Sequence, residues 1–183
     1  SMLFCCVHDV ATRPLPMSDN VKFPILQKRL LEIMAADQQD RQSARNQSEF
    51  TSEAEWMKPD WDRADEVLYI LKDIKVPSAT NIGLDGSRAI WLIAKHNGHY
   101  KNIAPLVLQK MRYLYYKDKS TVFFQGIPYL VDSLMVCKNK WSHSNKQLYG
   151  TQGYVDDNGM QRSYKIIKKD SLQLRCQRYG IDV

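Results

Sequence analysis

The chain has 183 residues, 44% hydrophobic and 25% charged, enough for one domain with a real core or two small ones. That composition excludes a fully disordered, collagen-like or disulfide-scaffold chain, and no apolar run approaches the roughly 18–20 residues that span a bilayer. The net charge of +6 is unevenly shared: residues 1–90 carry 11 Lys/Arg against 14 Asp/Glu, and residues 91–183 carry 15 against 6. A basic second half suits phosphate, nucleic acid or an acidic partner. Solvated charge unevenly spread is the plainer account, since no block of five or six like charges occurs.

Residues 1–21 contain Pro14, Pro16 and Ser18, show no periodicity and read as a flexible N-terminal arm. Met2–Val7 is apolar but too short for a signal-peptide core. Ser1-Met2 reads as a cloning remnant ahead of a natural start at Met2, which leaves a trimmed signal peptide or a lipid anchor open. Cys5, Cys6, Cys137 and Cys176 form no CxxC pair and no zinc-finger spacing. Reduced thiols in a cytoplasmic protein are therefore expected.

Residues 22–183 read as a single helical domain. From about Phe23 to Gln47, Phe23, Leu26, Leu30, Ile33 and Met34 form one apolar stripe. Asp37, Gln38 and Arg41 then continue that face, which either leaves the core, the commoner outcome, or enters a polar cavity. Residues 48–59 are acidic and ragged and read as a loop or a short helical turn, ending at Pro59. Asp60 is placed to cap a second helix over about Trp61–Ile74, with Val67, Leu68, Leu71 and Ile74 inward. Residues 76–86 read as punctuation, broken by Pro77, Gly83 and Gly86.

A third helix is expected over Ser87–Asn97, with Ala89, Leu92, Ile93 and His96 on one face. A fourth covers about Tyr100–Lys117, with Ile103, Leu106, Val107, Met111 and Leu114 inward and Pro105 tolerated near its first turn. A fifth covers about Gly126–Asn139, with Ile127, Leu130, Val131 and Leu134 inward. Residues 149–155 and 160–167 are β-type runs joined by Asp156-Asp157-Asn158-Gly159, a hairpin signal. Asp170 would cap a short last helix from Ser171 to Tyr179, closed by Gly180. The expected class is mainly α, a compact domain of five to six helices with one small C-terminal β-hairpin.

Three stretches together carry a resemblance: LLEIMAADQQDRQ (30–42), IGLDGSRAIWLIAKHN (82–97), and QLYGTQG (147–153) followed by LRCQRYGI (174–181). In order and spacing they resemble the bacterial family known as domain of unknown function 6624, with Gln-Leu-Tyr-Gly-Thr-Gln the most specific part. The chain departs from the family pattern at Lys95-His96-Asn97-Gly98, where the Asp after the His is absent. It departs again at Asp132-Ser133, where an Arg is absent, and in the spacing of Arg175 and Arg178. The resemblance implies a bacterial origin and a mostly helical fold, and it brings no activity.

His96, ending an apolar helix face, is the leading candidate for acid–base chemistry. Asp132, beside a buried stripe, needs a partner, and Arg41, Arg175 or His96 would serve. A His–Asp pair would fix the imidazole tautomer; a structural ion pair is the alternative. Gln147, Tyr149, Thr151 and Gln152 crowd around Gly150, and strand alternation would set Gln147, Tyr149 and Thr151 on one face. Such amides and hydroxyls read polar ligands, or else satisfy their own hairpin. No GxSxG, HExxH, GxxxxGK[ST] or strand-borne GxGxxG occurs, a metal site is disfavoured, and no cofactor is expected.

Two functions follow. In the first, His96, Asp132 and Tyr149 are catalytic, and Asp37, Arg41, Gln147, Thr151, Gln152 and Arg175 bind a small polar or anionic ligand, with hydrolysis or group transfer as the chemistry. In the second, the chain is a non-catalytic module whose basic half binds an acidic protein or nucleic acid. The stretch Lys110-Met111-Arg112-Tyr113-Leu114-Tyr115-Tyr116-Lys117 is the nucleic-acid candidate, although helical period alone accounts for Met111 and Leu114 turning inward.

Overall fold

Apolar residues three and four apart underlie the long helices of this chain. The computed structural model describes residues 15, 20–44, 53–98, 100–137 and 144–181, with the backbone alone at Ala44 and at 53–56. The expected N-terminal arm, Cys5, Cys6, His8, His99 and His143 lie outside the described residues, apart from the arm's positions 15, 20 and 21. Packing divides the chain into two compact units, Leu15–Phe123 and a second built on Phe124–Val183.

The first unit holds α1 (Pro24–Ala44), α2 (Glu53–Ile74), α3 (Ala79–His96) and α4 (Ile103–Asp118). The other three helices all pack against α3. Its residues Ala89, Ile90, Trp91, Leu92, Ile93 and Ala94 are buried on every side. They meet Leu30 and Ile33 of α1, Val67 and Leu71 of α2, and Val107 and Met111 of α4 in one core. Burying a side chain of this size stabilises by about 1.5–3 kcal/mol. The Trp91 ring meets the Phe123 ring edge-on at 5.1 Å.

Two expectations in this unit are corrected. Pro59 does not end a loop: α2 begins at Glu53 and runs through it. Asp60 is therefore an interior helical residue, and its carboxylate is free for tertiary partners. Residues 79–86 are helical as well. Ser78 caps α3, its hydroxyl accepting from the Asn81 N–H. The helix breaks at Gly83 (φ 73°, ψ 165°) and resumes at once. A Cβ at Gly83 would lie 2.3 Å from Asp85 Oδ1 and 2.7 Å from Gln27 Nε2, so only glycine fits. Asp85 Oδ1 restarts the helix by accepting from the Gly86 N–H (2.8 Å) and is itself held by Gln27 Nε2 (2.9 Å).

The second unit contains α5 (Ile127–Cys137), the short α6 (Leu172–Gln177) and four short strands. The predicted hairpin forms: β2 (Gly153–Val155) pairs antiparallel with β3 (Gln161–Ser163). Its connection is longer than a two-residue turn. Only Gly159 of the Asn-Gly pair takes positive φ (75°), following a turn in which its N–H donates to the Asp156 carbonyl at 2.9 Å. The Asp156 side chain accepts from the Asn158 and Met160 N–H groups and from Arg162 Nε. A second, unexpected pair is parallel, β1 (Lys146–Gln147) with β4 (Lys165–Ile166). Val136, Cys137 and Tyr164 form the core beside it. Six α-helices among the described residues and the small antiparallel sheet make the chain mainly α, as expected.

Candidate functional site

Asp37 does not leave the core. It is fully buried on the inner face of α1, two turns beyond Leu30 on the same stripe. His96, the last residue of α3, meets it there, with Nδ1 at 2.9 Å from Asp37 Oδ2 and 3.1 Å from Oδ1. Arg41, one turn after Asp37, reaches into the same space. Its Nε lies 2.9 Å from His96 Nδ1 and 3.3 Å from Asp37 Oδ2, and its Nη2 donates to Asp37 Oδ1 at 3.2 Å. Gln38 Nε2 adds a bond to Asp37 Oδ2 at 2.8 Å.

The cluster extends into α2. Asp60 accepts from Arg41 Nη2 (2.9 Å) and, on its other oxygen, from Arg63 Nη2 (2.9 Å). Arg63 Nη1 continues to Asp40 at 2.6 Å. The run Asp37, Arg41, Asp60, Arg63, Asp40 thus alternates in charge and, with His96, ties three helices. Asp60 and Arg63 were missed as site residues because Asp60 reads as a helix cap after Pro59. The available signal was their i, i+3 spacing on one helix.

Nδ1 of His96 has room for one proton and two neighbours that want different things. When it carries hydrogen it donates to Asp37 and Nε2 has a free lone pair. When it is bare it accepts from Arg41 Nε and Nε2 carries the hydrogen. The side chain keeps 15% of its surface exposed, and Nε2 has no hydrogen-bond partner among the described residues. Arg41 is 30% exposed, and its Nη1 is likewise without a partner there.

Burial pushes the His96 ring down to about 4, and the charges of Arg41 and Lys95 act the same way, against the bond and charge of Asp37. The ring is neutral at pH 7. Burial also opposes ionisation of Asp37, but the bond from His96 and the charge of Arg41 outweigh it and hold this carboxyl well below the usual range. The Arg41 guanidinium is the counter-ion of the pair.

The polar group of the second unit is built differently. Asp132, fully buried on α5, accepts from the backbone N–H groups of Leu148 (2.7 Å), Tyr149 (3.1 Å) and Thr151 (3.0 Å), and from the Thr151 hydroxyl (3.0 Å). The partner expected from Arg41, Arg175 or His96 is thus supplied by the chain following β1. Burial raises this carboxyl, and the bonds from Thr151, Leu148 and Tyr149 offset part of the rise.

Gln147 bonds internally too: its Nε2 lies within 3.0 Å of the Gln152 carbonyl, the Ser163 hydroxyl and the Tyr164 carbonyl, and its Oε1 accepts from the Gln152 N–H. Gln152 Nε2 reaches the Tyr129 carbonyl and the Thr151 hydroxyl. The alternation expected over 147–152 fails because β1 ends at Gln147 and the chain turns at Gly150, φ 76°. Tyr149 sets its ring edge-on to Tyr179 at 5.7 Å. Arg175 donates to the carbonyls of Leu148, Ile167 and Lys168 and to the Ser171 hydroxyl.

Of the residues singled out in the sequence, Asp37, Arg41 and His96 come together in the first unit. Asp132, Gln147, Tyr149, Thr151, Gln152 and Arg175 lie in the second, where their bonds hold one loop to α5 and α6. Among the described residues no group of three or more His, Cys, Asp or Glu is placed to hold a metal ion, and no helix is long and apolar enough to cross a membrane. Cys137 and Cys176 are buried. In comparisons with protein-family models, curated proteins and solved structures, nothing matches this chain.

Proposed function

We propose that Asp37, His96 and Arg41 form an acid–base site for a small polar, anionic ligand, acting by hydrolysis or group transfer. One observation carries this reading: a neutral imidazole is backed on Nδ1 by a buried carboxylate at 2.9 Å and leaves Nε2 unpartnered among the described residues, on a side chain that is 15% exposed. With hydrogen on Nδ1, Nε2 takes a proton from water or a substrate hydroxyl. The oxygen adds to the electrophilic centre, and the proton passes from Nε2 to the leaving group. Asp37 stabilises the imidazolium between these steps. The Arg41 guanidinium, which meets the ring through Nε, suits an anionic group.

A bacterial lineage, drawn from the resemblance to domain of unknown function 6624, and a cytoplasmic setting belong to the same reading. The buried Cys176 thiol, in no disulfide, supports the latter. The test is a thermal-shift screen of nucleotides, ADP-ribose, sugar phosphates and amino acids against wild type and His96→Gln. A compound that raises the wild-type melting temperature and leaves the folded variant unmoved supports the site. If every compound acts on both proteins alike, or on neither, the small-ligand reading is lost.

A further inference from the structure

Outside that site the most distinctive surface lies along α2 and α4. Asp65 bonds Lys101 Nζ at 2.6 Å, and Lys110 Nζ donates to the Lys75 carbonyl. These two contacts run the segments side by side in the same direction for ten residues of α2, about 15 Å at 1.5 Å per residue. Between them lies an open groove of about 640 Å³, with Leu68, Leu71 and Leu106 as its floor and Lys72, Lys75 and Lys110 on its rim.

Tyr69 lines the groove, and Tyr113 and Tyr116 follow Lys110 along α4. Tyr69 is 65% exposed, Tyr113 57% and Tyr116 80%. Lys72 stands over the Tyr69 ring at 6.0 Å and Lys117 over the Tyr113 ring at 5.9 Å. Helical period turns Met111 and Leu114 inward, as they are found, but it does not explain three large rings left in water. Asp65 is matched by Lys101. Residues 69–75 and 110–117 together carry five basic side chains and one acidic, Asp73.

We propose that this lysine–tyrosine face binds single-stranded nucleic acid without sequence preference, its tyrosines stacking on bases and its lysines meeting phosphates. Every base has a flat apolar face, so stacking on exposed rings tolerates any sequence. A leucine floor between cationic rims accepts a base or ribose while the backbone follows the lysines. A duplex keeps its bases stacked on each other and offers the rings nothing. The face shares no residue with the Asp37–His96 site, so either assignment can fail without the other.

The experiment is fluorescence anisotropy of a labelled oligothymidylate of about 20 nucleotides against the full chain. Three lysine–phosphate contacts predict a log–log salt slope of about −2, so affinity should fall roughly 15-fold between about 50 and 200 mM salt. Tyr69→Ala combined with Tyr113→Ala alters exposed side chains only and should weaken binding at least about tenfold. Lys72→Ala with Lys117→Ala should flatten the salt slope. Lys146→Ala with Lys165→Ala, in the second unit, should change neither.

Absence of binding at about 50 mM salt and about 100 µM protein, the weak end of non-specific affinity, overturns the proposal. So does binding that the tyrosine pair leaves unchanged, which indicates charge alone. Preference for duplex DNA, polyglutamate or anionic vesicles over oligothymidylate overturns it as well.

Discussion

Asp37 and His96 stand 59 residues apart in the chain and share a hydrogen bond through Nδ1. The carboxylate is the one influence that favours the charged ring, while burial, Arg41 and Lys95 oppose it. Asp37→Asn keeps the shape and removes that support. The ring pKa is then expected to fall below its value of about 4, read from the His96 ring signals in an NMR pH titration. A rise would mean that Asp37 does not act on the ring through its charge.

The same pair makes stability depend on pH with a definite sign. Unfolded, His96 takes up its proton near pH 6.5; folded, only near 4. Between these values the unfolded chain binds more protons, so stability declines as pH falls from about 6.5 to about 4, by roughly 3 kcal/mol if this group acts alone. Asp37, held low, adds a loss of the same sign at more acid pH. Urea unfolding at a series of pH values should show this slope in wild type and lose most of it in His96→Gln.

Gly83 is expected to tolerate no side chain. Its φ of 73° and the 2.3 Å and 2.7 Å approaches of Asp85 Oδ1 and Gln27 Nε2 make Gly83→Ala costly, by about 1–3 kcal/mol from the backbone alone. Gly98 has nothing within 4 Å of a built Cβ, and Gly98→Ala should stay within about 0.5 kcal/mol of wild type. Thermal unfolding of the two variants side by side checks the contrast.

Asp132→Ala leaves the buried Thr151 N–H and hydroxyl, and the Leu148 and Tyr149 N–H groups, without their acceptor. A cost of about 1–3 kcal/mol per stranded buried group predicts a large loss of stability in the second unit. Hydrogen exchange should accelerate at the amides of Leu148, Tyr149 and Thr151 and stay unchanged at those of α3.

The helices were readable wherever the core repeats every three or four residues, as at Leu30 and Ile33 or Val107 and Met111. The reading failed where a breaker does not break for long. Gly83 leaves the helical region, yet Asp85 restarts the helix two residues later, and Pro59 costs one backbone bond without ending α2. The candidate site was half legible: Asp37 and Arg41 visibly continue an apolar face and His96 visibly ends one. Nothing local says that these ends meet, because that is decided by how α1 and α3 pack. The Gln147–Gln152 motif was legible as a dense polar group and left two roles open, ligand reading or satisfying its own hairpin. Its amides take the places of missing strand partners, which spacing alone cannot distinguish from amides awaiting a ligand.

Arg175 joins the carbonyls of Leu148, Ile167 and Lys168, and it is made after all three. One side chain thus latches the segments that flank β1 and β4, and α6 carries the latch. A protease that cuts between β4 and α6 would release that latch without touching either paired strand.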